Sequence, residues 1–246
     1  MIGLRGAVAL LAVAVAGTGV AADRAEATGP QRALVQTYSP ITMLREQDDP
    51  PCDNDREQFE PTTVNTVLGN PRVVLVPPAG SGEDKIEAPT AADVAGKGDG
   101  YHLDLPGDPL TPGCTYARDF AELVQSGEAP PLTYAHIRRR PEAERVVVQY
   151  WFFYYFNQFN DLHESDWEGM QLIFVATTAS EALEAGPSEV GLFQHGGGES
   201  ANWDDEKVRK DGEHPIVYPA AGSHATFYED AIYIENGRRG VGASAR

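Results

Sequence analysis

From Arg145 onward the chain changes character. Val146, Val147 and Val148 lead into Gln149-Tyr150-Trp151-Phe152-Phe153-Tyr154-Tyr155-Phe156, apolar or aromatic at both alternating sets of positions. Side chains alternate across a strand, so a run that is apolar on both sets is covered on both faces, and this segment is predicted to be the central strand. Residues 167–177, 189–194, 215–218 and 231–234 read as further strands, separated by turns rich in Gly, Pro or Asp. Upstream, residues 72–76 form a strand ended by Pro77-Pro78, residues 132–137 another, and residues 116–124 have helical spacing. Many strands and little helix predict a mainly β protein, an antiparallel β-sandwich with long loops and one or two short helices.

The organisation around that core follows from weaker patterns. Residues 1–22 have the build of a secretory signal, with Arg5 ahead of a small apolar run from Ala7 to Val20 and cleavage possible as late as residue 27. That run is too short to span a bilayer and no other segment is long enough, so a transmembrane span is not expected. Residues 23–70, polar and rich in Pro and acids, are expected to wrap the sandwich domain at 71–246, with a short strand or helix within 34–44. The stretch 77–100 is rich in Gly, Pro, Ala and acids and is expected to be a flexible loop.

Charge narrows the partners. Lys and Arg total 19 against 37 Asp and Glu, a formal net charge of −18; phosphate backbones need clustered cations, so nucleic acid is excluded as a partner. The chain has two cysteines, Cys52 and Cys114, each beside a turn. In an exported, extracellular protein they are expected to pair, and closing so long a loop stabilises by about 4 kcal/mol on a loop-entropy argument.

The chemistry concentrates in Asp161-Leu162-His163-Glu164-Ser165-Asp166-Trp167-Glu168. On an extended chain Asp166 and Glu168 share a face with Met170, Leu172 and Phe174, so two carboxylates end a core-facing stripe. Ionised groups there need compensation, yet no Lys or Arg occurs between Arg145 and Lys207. A divalent cation held by His163, Asp166 and Glu168 meets that need, and one His with two carboxylates favours Ca²⁺, Mg²⁺ or Mn²⁺, with Zn²⁺ the further option. His195 and His224, each beside glycine, are candidates for the same rim with Asp161 and Trp203. Nucleophile elbows and phosphate loops are poorly met. The expected activity is therefore binding of a glycan or lipid head group, or action on membranes, ahead of a metal-dependent hydrolase of a glycan or phosphoester.

At Tyr150-Trp151-Phe152-Phe153, Asp166-Trp167-Glu168-Gly169, Gln194-His195-Gly196, His214 to Tyr218 and Gly222 to Ala225, the chain resembles the family named after vacuolar protein sorting-associated protein 62. The resemblance covers roughly residues 145–235. More distantly, residues 162–168 resemble the Gly-His-Arg-His-Asp-Trp-Glu block of the necrosis- and ethylene-inducing-peptide-like cytolysins, β-sandwich toxins that bind a divalent cation and sphingolipid head groups. That resemblance implies metal ligation by His163, Asp166 and Glu168, with His195 matching a further His. The second His of the block is Ser165 here, and for the upstream ligand Asp only Asn157, Asn160 or Asp161 stand nearby.

Overall fold

A computed structural model describes residues 29–45, 58–159, 161–230, 233–234 and 241–242. The expected signal segment and Cys52 lie outside these residues; among the described residues there is no free cysteine. The N-terminal part carries α1 (Pro30–Thr37), β1 (Ile41–Thr42), β2 (Val74–Val76), β3 (Ile86–Glu87), α2 (Ala91–Val94), β4 (His102–Asp104) and α3 (Thr115–Ser126). The middle holds β5 (Tyr134–Arg140), β6 (Arg145–Asn157), β7 (His163–Val175), α4 (Ala179–Ala185), β8 (Glu189–Gln194) and β9 (Gly197–Asn202). The chain then forms β10 (Lys210–Asp211), β11 (His214–Pro219), β12 (Thr226–Phe227), β13 (Tyr233–Ile234) and β14 (Val241–Gly242).

The architecture is mainly β. An antiparallel sheet of order β5-β6-β7-β8-β9 is its centre, and its two long strands run in one register from Arg145↔Val175 to Asn157↔His163. One face buries Val146, Val148, Tyr150 and Phe152 with Met170, Leu172 and Phe174. Against it pack α1, where the Val35 carbonyl accepts from the Tyr150 hydroxyl at 2.9 Å, and the segment beyond β12, where Tyr228 donates to the Val190 carbonyl at 2.8 Å. A second small sheet gathers on β11, which pairs antiparallel with β10 and β12 and parallel with β1.

Among the described residues, the other face of the central sheet is covered at one end. There β6 is buried at every position from Phe152 to Asn157, because α3 and the sheet β3-β2-β4 lie on that end. Phe120 stacks on Tyr155, Tyr116 stacks on Phe156 with ring centroids 4.0 Å apart, and buried Asp119 takes both the Tyr155 hydroxyl and the Arg72 guanidinium. The doubly apolar pattern of β6 thus reflects two different layers.

Several expectations are corrected. Residues 77–100 carry β3 and α2: Ile86 pairs with Leu75, and Thr90 and Asp93 form a reciprocal cap at the start of α2. The helices are few and short: α1 enters through Pro30, and α4 is started by the Thr178 side chain accepting from the Glu181 N–H at 3.2 Å. Strand β9 was hidden by its glycines.

Gly169 sits inside β7, and a Cβ there would stand 2.2 Å from the Tyr150 carbonyl oxygen. Gly169→Ala must therefore push β7 away from β6. The expected loss of unfolding free energy is about 2 kcal/mol or more, read from the urea midpoint; an unchanged midpoint would mean that the ladder yields freely.

Candidate functional site

The β7 alternation places Asp166 opposite Tyr154 and Glu168 opposite Phe152, so both carboxylates end the core-facing stripe. Asp166 is held from four sides. Its Oδ1 accepts the Trp167 backbone N–H at 2.8 Å and faces His163 Nε2 at 3.6 Å. Its Oδ2 accepts from Asn157 Nδ2 at 3.2 Å and lies 2.9 Å from His224 Nδ1. Burial acts to raise this carboxyl, but hydrogen bonds from His163 and His224 outweigh it and hold Asp166 well below the usual carboxylate range.

Glu168 is treated differently by the same strand. It is 5% exposed, and what it receives is the His195 backbone N–H, with His195 Nδ1 at 3.6 Å from Oε1. Desolvation, then the nearby charge of Asp166, pushes it up to about 8. His163 Nε2 and His195 Nδ1 thus each stand 3.6 Å from a carboxylate oxygen, and Asp166 raises the pKa of His163 by accepting from it.

Three loops supply the remaining groups. The turn between β6 and β7 docks on the turn before β12 through the Gln158 N–H to the Gly222 carbonyl at 3.1 Å. A Cβ at Gly222, whose φ is 80°, would meet Gln158 Cγ at 3.2 Å. That second turn closes on itself by bonds from the Ala220 N–H to the Ala225 carbonyl and the His224 N–H to the Ala220 carbonyl, both 2.9 Å. His224 is thereby fully buried, its ring stacked on Tyr154 at 3.8 Å. Gln194 ties the third loop in, its Nε2 donating to the Thr226 carbonyl at 3.0 Å.

Backbone strain collects at the same place. Among the described residues, five that are not glycine have positive φ, and three of them are Ser165, His195 and His224 at 62°, 52° and 57°. The left-handed region costs such residues about 1 kcal/mol or more each. Ser165 points across the strand from the carboxylates; among the described residues its Oγ has no hydrogen-bond partner, and the residue lines a cavity of about 340 Å³ with Phe153 and Trp167.

The structure brings His163, Asp166, Glu168, His195 and His224 to one end of the sheet. Asp161 contributes its backbone: its carbonyl accepts a hydrogen bond from His163 Nδ1 at 2.6 Å, turning Nε2 toward Asp166. Trp203 is elsewhere. The β8-β9 hairpin pairs Gln194 with Gly197 at the site and Glu189 with Asn202 at the far end, so Trp203 packs against Tyr38 under Lys210. Its place in the rim is corrected for that reason. Sequence reasoning missed the part played by Tyr154, whose signal was the paired register of β6 and β7. Among the described residues no three or more His, Cys, Asp or Glu side chains close around one point as a ready metal cluster.

No family model matches the chain, and no curated protein does. Among solved structures, a triple mutant of NLPPya aligns over 96% of this chain and 76% of its own, at 12% identity and a TM-score of 0.47. NLPPya in complex with mannosamine aligns over 47% and 49%, at 13% identity and a TM-score of 0.34. Necrosis and ethylene inducing protein 2 from the causal agent of witches' broom disease of cocoa aligns over 46% and 50%, at 18% identity and a TM-score of 0.33. That last protein is of the kind to which residues 162–168 were likened; at these levels the likeness carries no argument about ligand or activity. Membership of the vacuolar protein sorting-associated protein 62 family is not supported.

Glu168 allows a direct test of charge burial. Its pKa is higher in the folded than in the unfolded chain, so ionisation costs stability progressively as pH rises from the ordinary Glu range to about 8. In chelator, Glu168→Gln is expected to melt at the same temperature as the parent near pH 4.5 and several degrees above it at pH 8.5. Equal melting temperatures at both pH values would show that the carboxylate is compensated.

Proposed function

We propose that this is a secreted binding module in which His163, Asp166 and Glu168 hold a divalent cation, and that the cation presents a glycan or lipid head group to the surrounding loops. The observation that carries the reading is a backbone-oriented imidazole set opposite a carboxylate. His163 donates its Nδ1–H to the Asp161 carbonyl, which aims Nε2 at Asp166 Oδ1 from 3.6 Å; the carboxylate raises the imidazole's pKa and so favours a proton between the two. A cation can take that proton's place, and an imidazole oriented by a backbone carbonyl is the usual preparation for metal ligation.

The donor set fits such an ion in its chemistry. Residues 166 and 168 are two apart on a strand, about 6.6 Å along the chain, within reach of a shared centre for side chains of this length. An oxygen-rich set with one imidazole favours Ca²⁺, Mg²⁺ or Mn²⁺ over Zn²⁺. The bound ion would offset the charges of Asp166 and Glu168 and so admit an anionic or zwitterionic group to an otherwise acidic rim. Half-buried Phe159, packed beside Gly222, supplies an apolar contact at that rim. Among the described residues no helix is long and apolar enough to cross a membrane, so action on a membrane would be from its surface.

Chelator-stripped protein is expected to gain about 3 kcal/mol of stability when one of Ca²⁺, Mg²⁺, Mn²⁺ or Zn²⁺ is added at about 100 times its Kd, and Asp166→Asn to abolish the gain. With the ion bound, sedimentation with vesicles and binding to immobilised glycans are expected to become ion-dependent. If none of the four ions shifts the melting curve, the proposal fails. Ion-dependent turnover of chromogenic esters or glycosides, lost in His195→Ala, would replace it with a hydrolase.

A further inference from the structure

The face of the central sheet turned away from the carboxylates carries two uncharged rows that cross its strands. One runs from His136 through Gln149, Gln171 and Gly191 to Ser200, each paired in register with the next. The other joins Tyr134 to Trp151 and Trp151 to Gly169; Phe193 continues it, its ring 5.1 Å from that of Trp151. Beside this row stands Trp167, 45% exposed, with its ring 5.5 Å from Tyr134 and 6.4 Å from Trp151.

The chemistry of the rows is specific. His136 Nδ1 lies 3.1 Å from Gln149 Oε1, a bond that orients the amide and leaves its two N–H donors to a ligand. The Gln171 side chain rests over Gly191, 3.1 Å from where a Cβ would stand, so the glycine is what gives that amide room to lie along the row. Gly169 and Gly191 are buried, the Phe193 ring and the Gln171 side chain lying against them, and Gly198 at the edge is exposed, so the glycines let the side chains of the rows lie flat on the sheet.

Aromatic rings offer apolar faces, while amides, an imidazole and a hydroxyl both donate and accept. Neither row holds a formal charge, in a chain carrying −18. A ligand complementary to this surface is neutral, has an apolar C–H face and is ringed by hydroxyls. A single nucleic-acid strand also stacks on sheet aromatics but needs cations, which the rows lack. Four strand spacings make the row about 19 Å long, enough for a short oligosaccharide.

We propose that this face binds a neutral oligosaccharide laid across the strands, with Trp167 and Trp151 under its sugar rings and Gln149, Gln171 and Ser200 bonding its hydroxyls. The site stands apart from the cation site: on β7, residues 166 and 168 face the core side and residues 167, 169 and 171 the other.

Affinity electrophoresis in native gels cast with soluble mannan, xylan or β-glucan tests it. At least one polymer is expected to retard the full chain, with or without chelator. Trp167→Ala and Gln171→Ala are each expected to weaken retardation about tenfold, the size of one lost ring contact or hydrogen-bonded pair, in gels run with chelator, where the cation site is empty. Should Trp167→Ala lower the melting temperature, Gln171→Ala carries the test. Retardation by none of the polymers overturns the proposal, as does retardation that survives both substitutions. Retardation that chelator abolishes would overturn it too, by moving the sugar to the cation site.

Discussion

Between Arg145↔Val175 and Asn157↔His163, β6 and β7 are locked in one antiparallel register, and the rest of the molecule is arranged around that ladder. It puts Asp166 beside Tyr154 and Glu168 beside Phe152, and it sends Trp167 and Gln171 to the opposite side. A slip of one residue would exchange these sets, carrying the acids outward and a tryptophan into the core. The burial of aromatic residues along β6 makes such a slip costly.

The two carboxylates show how little sequence distance is needed to separate chemical behaviour. Asp166 gathers an amide, a backbone N–H and two histidines, while Glu168, two residues on, has one backbone donor and a more distant imidazole. Their pKa values are driven apart in consequence, one down and one up, the pattern by which neighbouring acids acquire distinct roles. The strained backbones of Ser165, His195 and His224 show that the surrounding fold overrides local preference to keep this end of the sheet in shape.

Much of this was legible in the sequence, for a physical reason in each case. The β6 pattern announced a strand covered twice, β8 was bounded by turn residues, and the Asp-Trp-Glu alternation announced two acids on one face. Other parts were not. Strand β9 starts at Gly197-Gly198, where propensity is poor and cross-strand pairing with Phe193 and Gln194 decides. Elements β3 and α2 sit in a stretch whose composition reads as loop but where one Ile and one cap suffice. Trp203 was misplaced because nearness in sequence to His195 does not survive a hairpin that reverses the chain.

The parallel pairing of β1 with β11 joins residues 41–42 to residues 216–217, and His214 Nδ1 lies 2.8 Å from the Ser39 carbonyl, 175 positions away in sequence. A chain made from its N-terminus therefore emerges with a β1 that has no strand partner until β11 exists. The β6-β7 hairpin, whose partners are close in sequence, can assemble long before, and with it come Tyr150 and Phe174, on which α1 and Tyr38 rest. The N-terminal segment can thus settle in two steps, its helix first and its strand only when the last part of the chain arrives.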